Sequence, residues 1–400
     1  MNPAYSARAD YAGRMRRGKY ASASSVGPSA GGDLWKAVDA LIDRAPSLDD
    51  LREHRLQLLA ERHWARSGRA VSPTLSAEKA VAAAFALPIP SLLSRIASAW
   101  DGPMIILKGP EVASRYPAEL LRTAGDIDLL VEDAPAAHAA LCSAGFVPTG
   151  DPRRYVGVHH LQPLVWPNVP VAIELHHAPK WVDGLNPPST SELFRFAVPA
   201  RGSAEEFQTL APAAHVVVLA VHGWAHEPLR NLRDLIDIAV LTTEADIAEI
   251  DRIARRWGVS HVWRTTHSVV ESLFSGGKRP LALRLWARHL EAVRGRTVAE
   301  SHLSGWMSPF WALPPTIALR QSSSRIWDDL RPVPGERWRT KLSRARLAVR
   351  HAGVRRSSHD RVLKETRLAT PPVLFLDRIE RRRGTTAPDR SRRRREDASG

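Results

Sequence analysis

The stretch that decides the fold runs from Leu107 to Val131 and reads LKGPEVASRYPAELLRTAGDIDLLV. It joins the end of an apolar strand, Met104-Ile105-Ile106-Leu107, to a glycine turn, a short helical region and a second apolar strand carrying Asp126 and Asp128. Side chains on a strand alternate between faces, so residues two apart point the same way. Asp126 and Asp128 are expected to project together while Ile127 and Leu129 face a core. Two carboxylates side by side repel each other, and desolvation adds to the cost. A cation between them relieves both. A ligand set made only of oxygen selects a hard ion such as Mg²⁺, commonly held by one or two carboxylates together with substrate phosphates.

Working outward, Glu111 to Leu121 reads as a helix that Pro117 kinks or splits. Ala134 to Ala144 is an Ala-rich helix closed by Gly145, a good C-cap. Phe146-Val147 leads into a third strand or turn. Tyr155 to Trp166 alternates in parts, and Pro167-Asn168-Val169-Pro170 makes a hairpin-like connection to a returning strand, Val171 to His176. On that strand Glu174 and His176 share one face, Ile173 and Leu175 the other. Upstream, Asp33 caps a helical pattern and Ser47 opens a second. Two more, Ser76 to Phe85 and Ser91 to Trp100, are separated by the break Pro88-Ile89-Pro90. Downstream, helices are expected over Thr190–Phe196, Pro212–His226, Asn231–Leu241, Ala245–Trp257, Ser260–Phe274 and Pro280–Val293. Everything from about Ala211 to Val293 thus reads as all-helical. Later, Lys341 to Val354 and Pro371 to Arg383 read as two further helices.

Composition narrows the class. The chain has 400 residues, enough for two or three domains. No apolar run of 18 or more residues is evident, so no membrane span is expected. The first residues are basic without an apolar h-region, which does not read as a secretory signal. The single cysteine, Cys142, excludes an internal disulfide framework and a Cys-based zinc site. A cytoplasmic protein is the expectation. The net charge is +15, but from Arg331 onward there are 21 Lys and Arg against 8 Asp and Glu, so +13 of it sits in the last 70 residues. The high pI therefore describes the C-terminal end and is poor evidence for a nucleic-acid-binding core.

The ordered set Leu107-Lys108-Gly109, Tyr116-Pro117, Arg122 and Asp126-Ile127-Asp128-Leu129-Leu130-Val131 resembles the uncharacterised nucleotidyltransferase family of bacterial proteins, over about Ala97 to Thr242. That family lies within the nucleotidyltransferase superfamily, whose fold is that of the DNA polymerase β palm. The resemblance implies an α+β fold: a palm-like mixed sheet with flanking helices, a helical N-terminal lobe and an all-helical C-terminal domain. The expected layout is a disordered tail (1–32), a helical lobe (33–100), the nucleotidyltransferase domain (101–200), a helical domain (201–330) and a basic, partly disordered tail (331–400). It further implies transfer of a nucleoside monophosphate from an NTP to an acceptor hydroxyl, with two Mg²⁺ ions held by two carboxylates on one strand and a third on a neighbouring strand. By that resemblance Asp126 and Asp128 are the pair. Glu174, set among buried strand residues where an unpartnered charge is costly, is the expected third ligand. Gly109 occupies the turn that receives phosphate oxygens on backbone N–H groups. Lys108 and Arg122 are expected to supply charge to the phosphates. The acceptor is a small molecule, a protein or RNA.

The sequence departs from the superfamily at Pro110. A small polar residue commonly follows the glycine there, and proline has no N–H to donate, though it is well tolerated at the first helical position. A second reading is therefore a catalytically degenerate transferase fold used as a binding or accessory module. The histidines are expected in structural roles, except His176 beside Glu174, which belongs near the active site. His159-His160 and His176-His177 lie on strands expected to pair. His222 and His226 stand one turn apart on a helix, a spacing that also fits a metal. Arg233-Asp234-Leu235-Ile236-Asp237 is expected either to hold the helical domain against the sheet or to contact the nucleotide base. The basic C-terminal end reads as a solubilising tail, with nucleic-acid contact the less favoured use.

Overall fold

A computed structural model describes residues 29–123 and 125–366. Helices α1 (Ser29–Ile42), α2 (Leu48–Glu53), α3 (Gln57–Arg66), α4 (Pro73–Ala86) and α5 (Ile89–Ala99) precede strand β1 (Met104–Ile106). Then come α6 (Pro110–Ala113), β2 (Asp126–Val131), α7 (Ala134–Ser143), β3 (Val147–Pro148), β4 (Leu164–Val165), β5 (Ala172–His176), α8 (Thr190–Phe194), β6 (Ala197–Pro199) and β7 (Gln208–Leu210). The remainder is helical: α9 (Pro212–His226), α10 (Leu232–Thr242), α11 (Ile247–Arg256), α12 (Ser260–Phe274), α13 (Leu281–Leu285), α14 (Arg288–Glu291), α15 (Val298–Met307), α16 (Pro309–Ala312), α17 (Pro315–Leu330), α18 (Trp338–Arg350) and α19 (Arg356–Glu365).

The strands form one seven-stranded mixed sheet in the order β3-β4-β5-β2-β1-β7-β6. β2 is antiparallel to β1 and parallel to β5, and β1 is parallel to β7. Strand alternation divides the sheet's side chains between two cores. Met104, Ile106, Ile127, Leu129, Val131, Ile173 and Leu175 enter one core with α5 and α7. Ile105, Leu107 and Leu130 enter the other, with α1, α3 and the helices from α9 to α14. Asp126, Asp128, Glu174 and His176 have the parity of Leu130, so they stand on the side of the large helical core.

Several expected elements take a different form. The helix expected over Glu111–Leu121 is a single turn, α6, followed by a 3-10 turn at Glu119–Leu121. Pro117 disfavours the helical conformation at Tyr116, which ends the run. Of the alternating stretch Tyr155–Trp166 only β4 pairs as a strand, together with an isolated bridge between His160 and His176. The helix expected over Pro280–Val293 is the two short helices α13 and α14. β7 (Gln208–Leu210) carries the sheet past residue 200, into the stretch assigned to the helical domain. The helices of residues 33–66 share one core with the later helical region.

α4 and α5 run almost without interruption over Pro73–Ala99, a 27-residue stretch that is long and apolar enough by composition to cross a membrane. Within the fold it buries Leu75, Leu92, Leu93 and Ile96, while the Arg95 guanidinium stacks over Trp166, 4.4 Å from the ring centroid. At the C-terminal end, residues 331–366 are helical and docked. Val298 N–H donates to Val354 O (3.0 Å), Arg356 N–H to Arg296 O (2.8 Å), and Arg355 pairs with the buried Asp50 at 2.8 Å. These anchors, together with buried His359, tie down a segment whose composition reads as a tail. The expected helix at Pro371–Arg383 and the first 28 residues lie outside the described residues. α1 begins at Ser29, so Asp33 lies inside the helix and pairs with Lys36 at 3.1 Å.

Candidate active site

The parallel pairing of β2 with β5 sets Asp126 against Ala172, Asp128 against Glu174 and Leu130 against His176. Two strands thus bring Asp128, Glu174 and His176 together at the edge of the helical core. His176 Nε2 donates to Asp128 Oδ1 at 3.0 Å and lies 3.6 Å from Glu174 Oε2. The side chains of Asp128 and His176 are buried, and that of Glu174 is 23% exposed, so the site opens on the Glu174 side. The three residues offer donor atoms that all lie within 4.8 Å of one another. Asp126 shares their face, but it is exposed and stands outside this tight group.

The electrostatics follow from the packing. Burial by itself raises the carboxyl of Asp128, but the hydrogen bond from His176, and next the charge of that ring, outweigh it and hold Asp128 well below the usual carboxylate range. Burial by itself lowers His176, and the hydrogen bond to Asp128 followed by the interaction with Glu174 push it up to about 9. Asp126 is raised by desolvation of its carboxyl and then by the charges of Asp128 and Glu174. The group is therefore one imidazolium among three acids.

Around it stands a wall of neutral rings. Leu161 N–H donates to Leu175 O (2.9 Å) and His177 N–H to His159 O (3.1 Å), which pins the 159–161 loop against β5. His159 and His160 then sit with ring centroids 5.3 and 5.2 Å from His176. The rings of His222 and His226 meet at a tilt on α9 with centroids 4.5 Å apart, and Lys180 Nζ donates to His226 Nδ1 at 2.8 Å. Burial holds His159, His160, His222 and His226 below the ordinary histidine value, and neighbouring cations add to it, although the charge of Glu174 opposes the lowering at His160. Lys108 is lowered by burial, opposed first by the charge of Asp128.

Arg122 lies elsewhere. Its guanidinium makes a fork on Asp237, Nε to Oδ1 at 2.8 Å and Nη2 to Oδ2 at 2.7 Å, and Nη1 donates to Gly109 O at 3.1 Å. Tyr116 Oη donates to the same Asp237 at 2.7 Å. This is the charged network expected of the Arg233–Asp237 segment, holding α10 against the sheet and its glycine turn. Gly109 has φ of 76°, a conformation that favours glycine, and Pro110 occupies the first position of buried α6. Arg233 donates from Nη1 to Thr123 O at 3.1 Å, bracing the loop before β2. An apolar cleft bordered by Pro110, Ala113, Arg122 and Thr123 lies behind the turn and does not reach the carboxylates. His160 was expected in a structural role, and the His159-His160 doublet opposite His176-His177 was the available sign of its place at the site, whereas Asp237 was expected within the Arg233–Asp237 segment.

A mixed sheet with carboxylates and an imidazole converging from adjacent parallel strands defines an α+β protein with a candidate divalent-metal site. A family model described as "Uncharacterised nucleotidyltransferase" matches residues 51–275, more than half of the chain, and the chain belongs to that family. Comparison with curated proteins and with solved structures finds no match.

Proposed function

We propose that the protein is a metal-dependent nucleotidyltransferase that moves a nucleoside monophosphate from an NTP to an acceptor hydroxyl, on a palm-like sheet of the polymerase β type. The observation that carries this reading is the register of β2 with β5, which sets Asp128 beside Glu174 in a chain of a nucleotidyltransferase family. Asp126, Asp128 and Glu174 would hold the divalent ion, taken from the family pattern as Mg²⁺. The donor set supports a dication, since three acids outnumber the two cations set beside them, His176 and Lys108. When bound, the ion neutralises phosphate charge and activates the attacking oxygen.

The chain's own residues have separable tasks. Asp128 and Glu174, fixed by ladder hydrogen bonds, give the site its position. Glu174, the partly exposed member, accepts the proton of the acceptor hydroxyl as that oxygen bonds to the α-phosphorus and the α–β P–O bond breaks, releasing pyrophosphate. Lys108, one residue before the turn, faces the same charge field and supplies a cation to the phosphates. The Gly109 N–H remains as a donor where Pro110 has none. Arg122 acts indirectly, by fixing the Gly109 carbonyl. The site in this form is built for charge compensation and positioning, which is what phosphoryl transfer demands of a protein.

Incubation with each α-³²P-labelled NTP, a divalent ion and cell extract tests the reading. Label transfer by the wild type, reduced at least about 100-fold in Asp128→Asn, is the expected result. No transfer and no NTP binding would instead support the accessory-module reading, which Pro110 favours by removing one phosphate donor.

A further inference from the structure

We propose that the metal centre is a mixed carboxylate–imidazole site, with His176 as a direct ligand beside Asp128 and Glu174 and His160 as a second nitrogen donor, and that it takes a first-row transition-metal dication such as Mn²⁺ in preference to Mg²⁺. This rests on the reading above that these carboxylates hold a divalent ion. It differs in the ligand set and in the ion that the set selects.

Three observations carry it. The first is spacing. Two donors at right angles around an ion, each bonded at about 2.1 Å, stand about 3.0 Å apart. His176 Nε2 is 3.0 Å from Asp128 Oδ1 and 3.6 Å from Glu174 Oε2, so nitrogen and oxygens already have the separation of neighbouring ligands. Asp126, the acid that an all-oxygen site would use, is outside the group.

The second is the orientation of His160. Its Nδ1 lies 2.8 Å from Leu161 O, a contact that requires the proton on Nδ1 and leaves Nε2 as the acceptor nitrogen. That Nε2 is 3.8 Å from Glu174 Oε2. In the neutral ring an acceptor nitrogen set towards a carboxylate is unfavourable unless a cation lies between them, and a metal ion is one that would also bind Asp128 and His176. A ring whose second nitrogen donates to a backbone carbonyl is also the usual outer arrangement of a metal-bound histidine.

The third is the paired approach to one oxygen. His160 and His176 come from a loop and a strand joined by a bridge, and both present Nε2 to Glu174 Oε2. Imidazole nitrogen suits first-row transition metals, whereas Mg²⁺ favours oxygen and retains its waters. On binding, the ion replaces the proton that His176 now shares with Asp128, and that proton is released to solvent.

The test uses the full chain with Mn²⁺ alone. Pulsed EPR of bound Mn²⁺ should show coupling to directly bound imidazole nitrogen, and labelling the wild-type histidines with ¹⁵N should change that pattern. His176→Gln should weaken Mn²⁺ at least about tenfold while changing Mg²⁺ affinity less than about threefold. His159→Gln, which alters a neighbouring ring outside the ligand set, should retain the coupling. Bound Mn²⁺ without imidazole coupling overturns the proposal, and the wild-type measurement decides this even where His176→Gln fails to fold. Imidazole coupling in a protein that transfers no label sustains this inference and removes the transferase reading. Label transfer by a protein whose bound Mn²⁺ shows no imidazole coupling does the reverse.

Discussion

Two groups of charge lie on the helical side of the sheet and are built in opposite ways. In the first, Arg122 and Asp237 make a bidentate pair, and Tyr116 and the Gly109 carbonyl take up further bonding capacity. In the second, Asp126, Asp128 and Glu174 face the charged ring of His176 and, further off, Lys108, and the buried Nδ1 atoms of His159 and His176 have no hydrogen-bond partner among the described residues. The first group is matched in charge and bonding, so it serves as a clamp between α10 and the turn after β1. The second carries surplus negative charge and unused donors, a state that a fold retains at a cost when another ion is to complete it. Arginine could have neutralised either group. Its use at one and absence from the other separates the part that holds the molecule from the part that awaits a ligand.

The largest effect that would break this comparison is at the clamp. Asp237→Ala leaves the Arg122 guanidinium buried without a counter-charge, and urea unfolding should show a loss of about 3–5 kcal/mol. A loss below about 1 kcal/mol would mean that the clamp does not hold the domains.

The next effect is in pH dependence, measured on metal-free protein. His176 is raised to about 9. Its contribution is complete below the unfolded value near 6.5 and is lost as pH rises through about 9. His215, buried with Nε2 donating to Leu107 O at 2.7 Å, is lowered by burial to about 4. Its effect has the other sign, with stability falling as pH drops from about 6.5 through 4. Each change is on the order of 3 kcal/mol. His176→Gln should flatten the alkaline limb and His215→Gln the acid limb.

A smaller effect sharpens the account of the clamp. Tyr116→Phe removes one hydrogen bond to a charged group and should cost about 1.5–2 kcal/mol by thermal or urea unfolding. Asp126→Asn should be the mildest for folding, within about 0.5 kcal/mol. It nonetheless removes a negative charge from the site and should reduce label transfer. Its combination of near-native stability and impaired transfer is the reverse of what Tyr116→Phe should give.

The part of the fold that positions the site was legible because its signals are local. Asp126–Val131 has the bounds expected from its apolar run, and Pro212–His226 and Ser260–Phe274 coincide with their periodic patterns. Asp128 and Glu174 could be paired in advance because strand parity settles which side chains share a face. The rest depended on distance or on brevity. β6 and β7 have three residues each, too few to display a period, and are held by pairing to each other and to β1. Arg122 was expected at the phosphates, yet its partner Asp237 lies 115 positions away on a helix whose docking no local pattern specifies. Asp126 and Asp128 look equivalent in the sequence. Only the packing of the 159–161 loop and β5 around one of them makes Asp128 the buried member and brings His160 into reach.

The most direct measurement is anomalous diffraction from a crystal of the protein soaked with Mn²⁺ and a non-hydrolysable NTP. The account predicts an anomalous peak bounded by Asp128, Glu174 and His176, with the nucleotide's phosphates beside it. A peak confined to other residues, or no peak at saturating Mn²⁺, would contradict it.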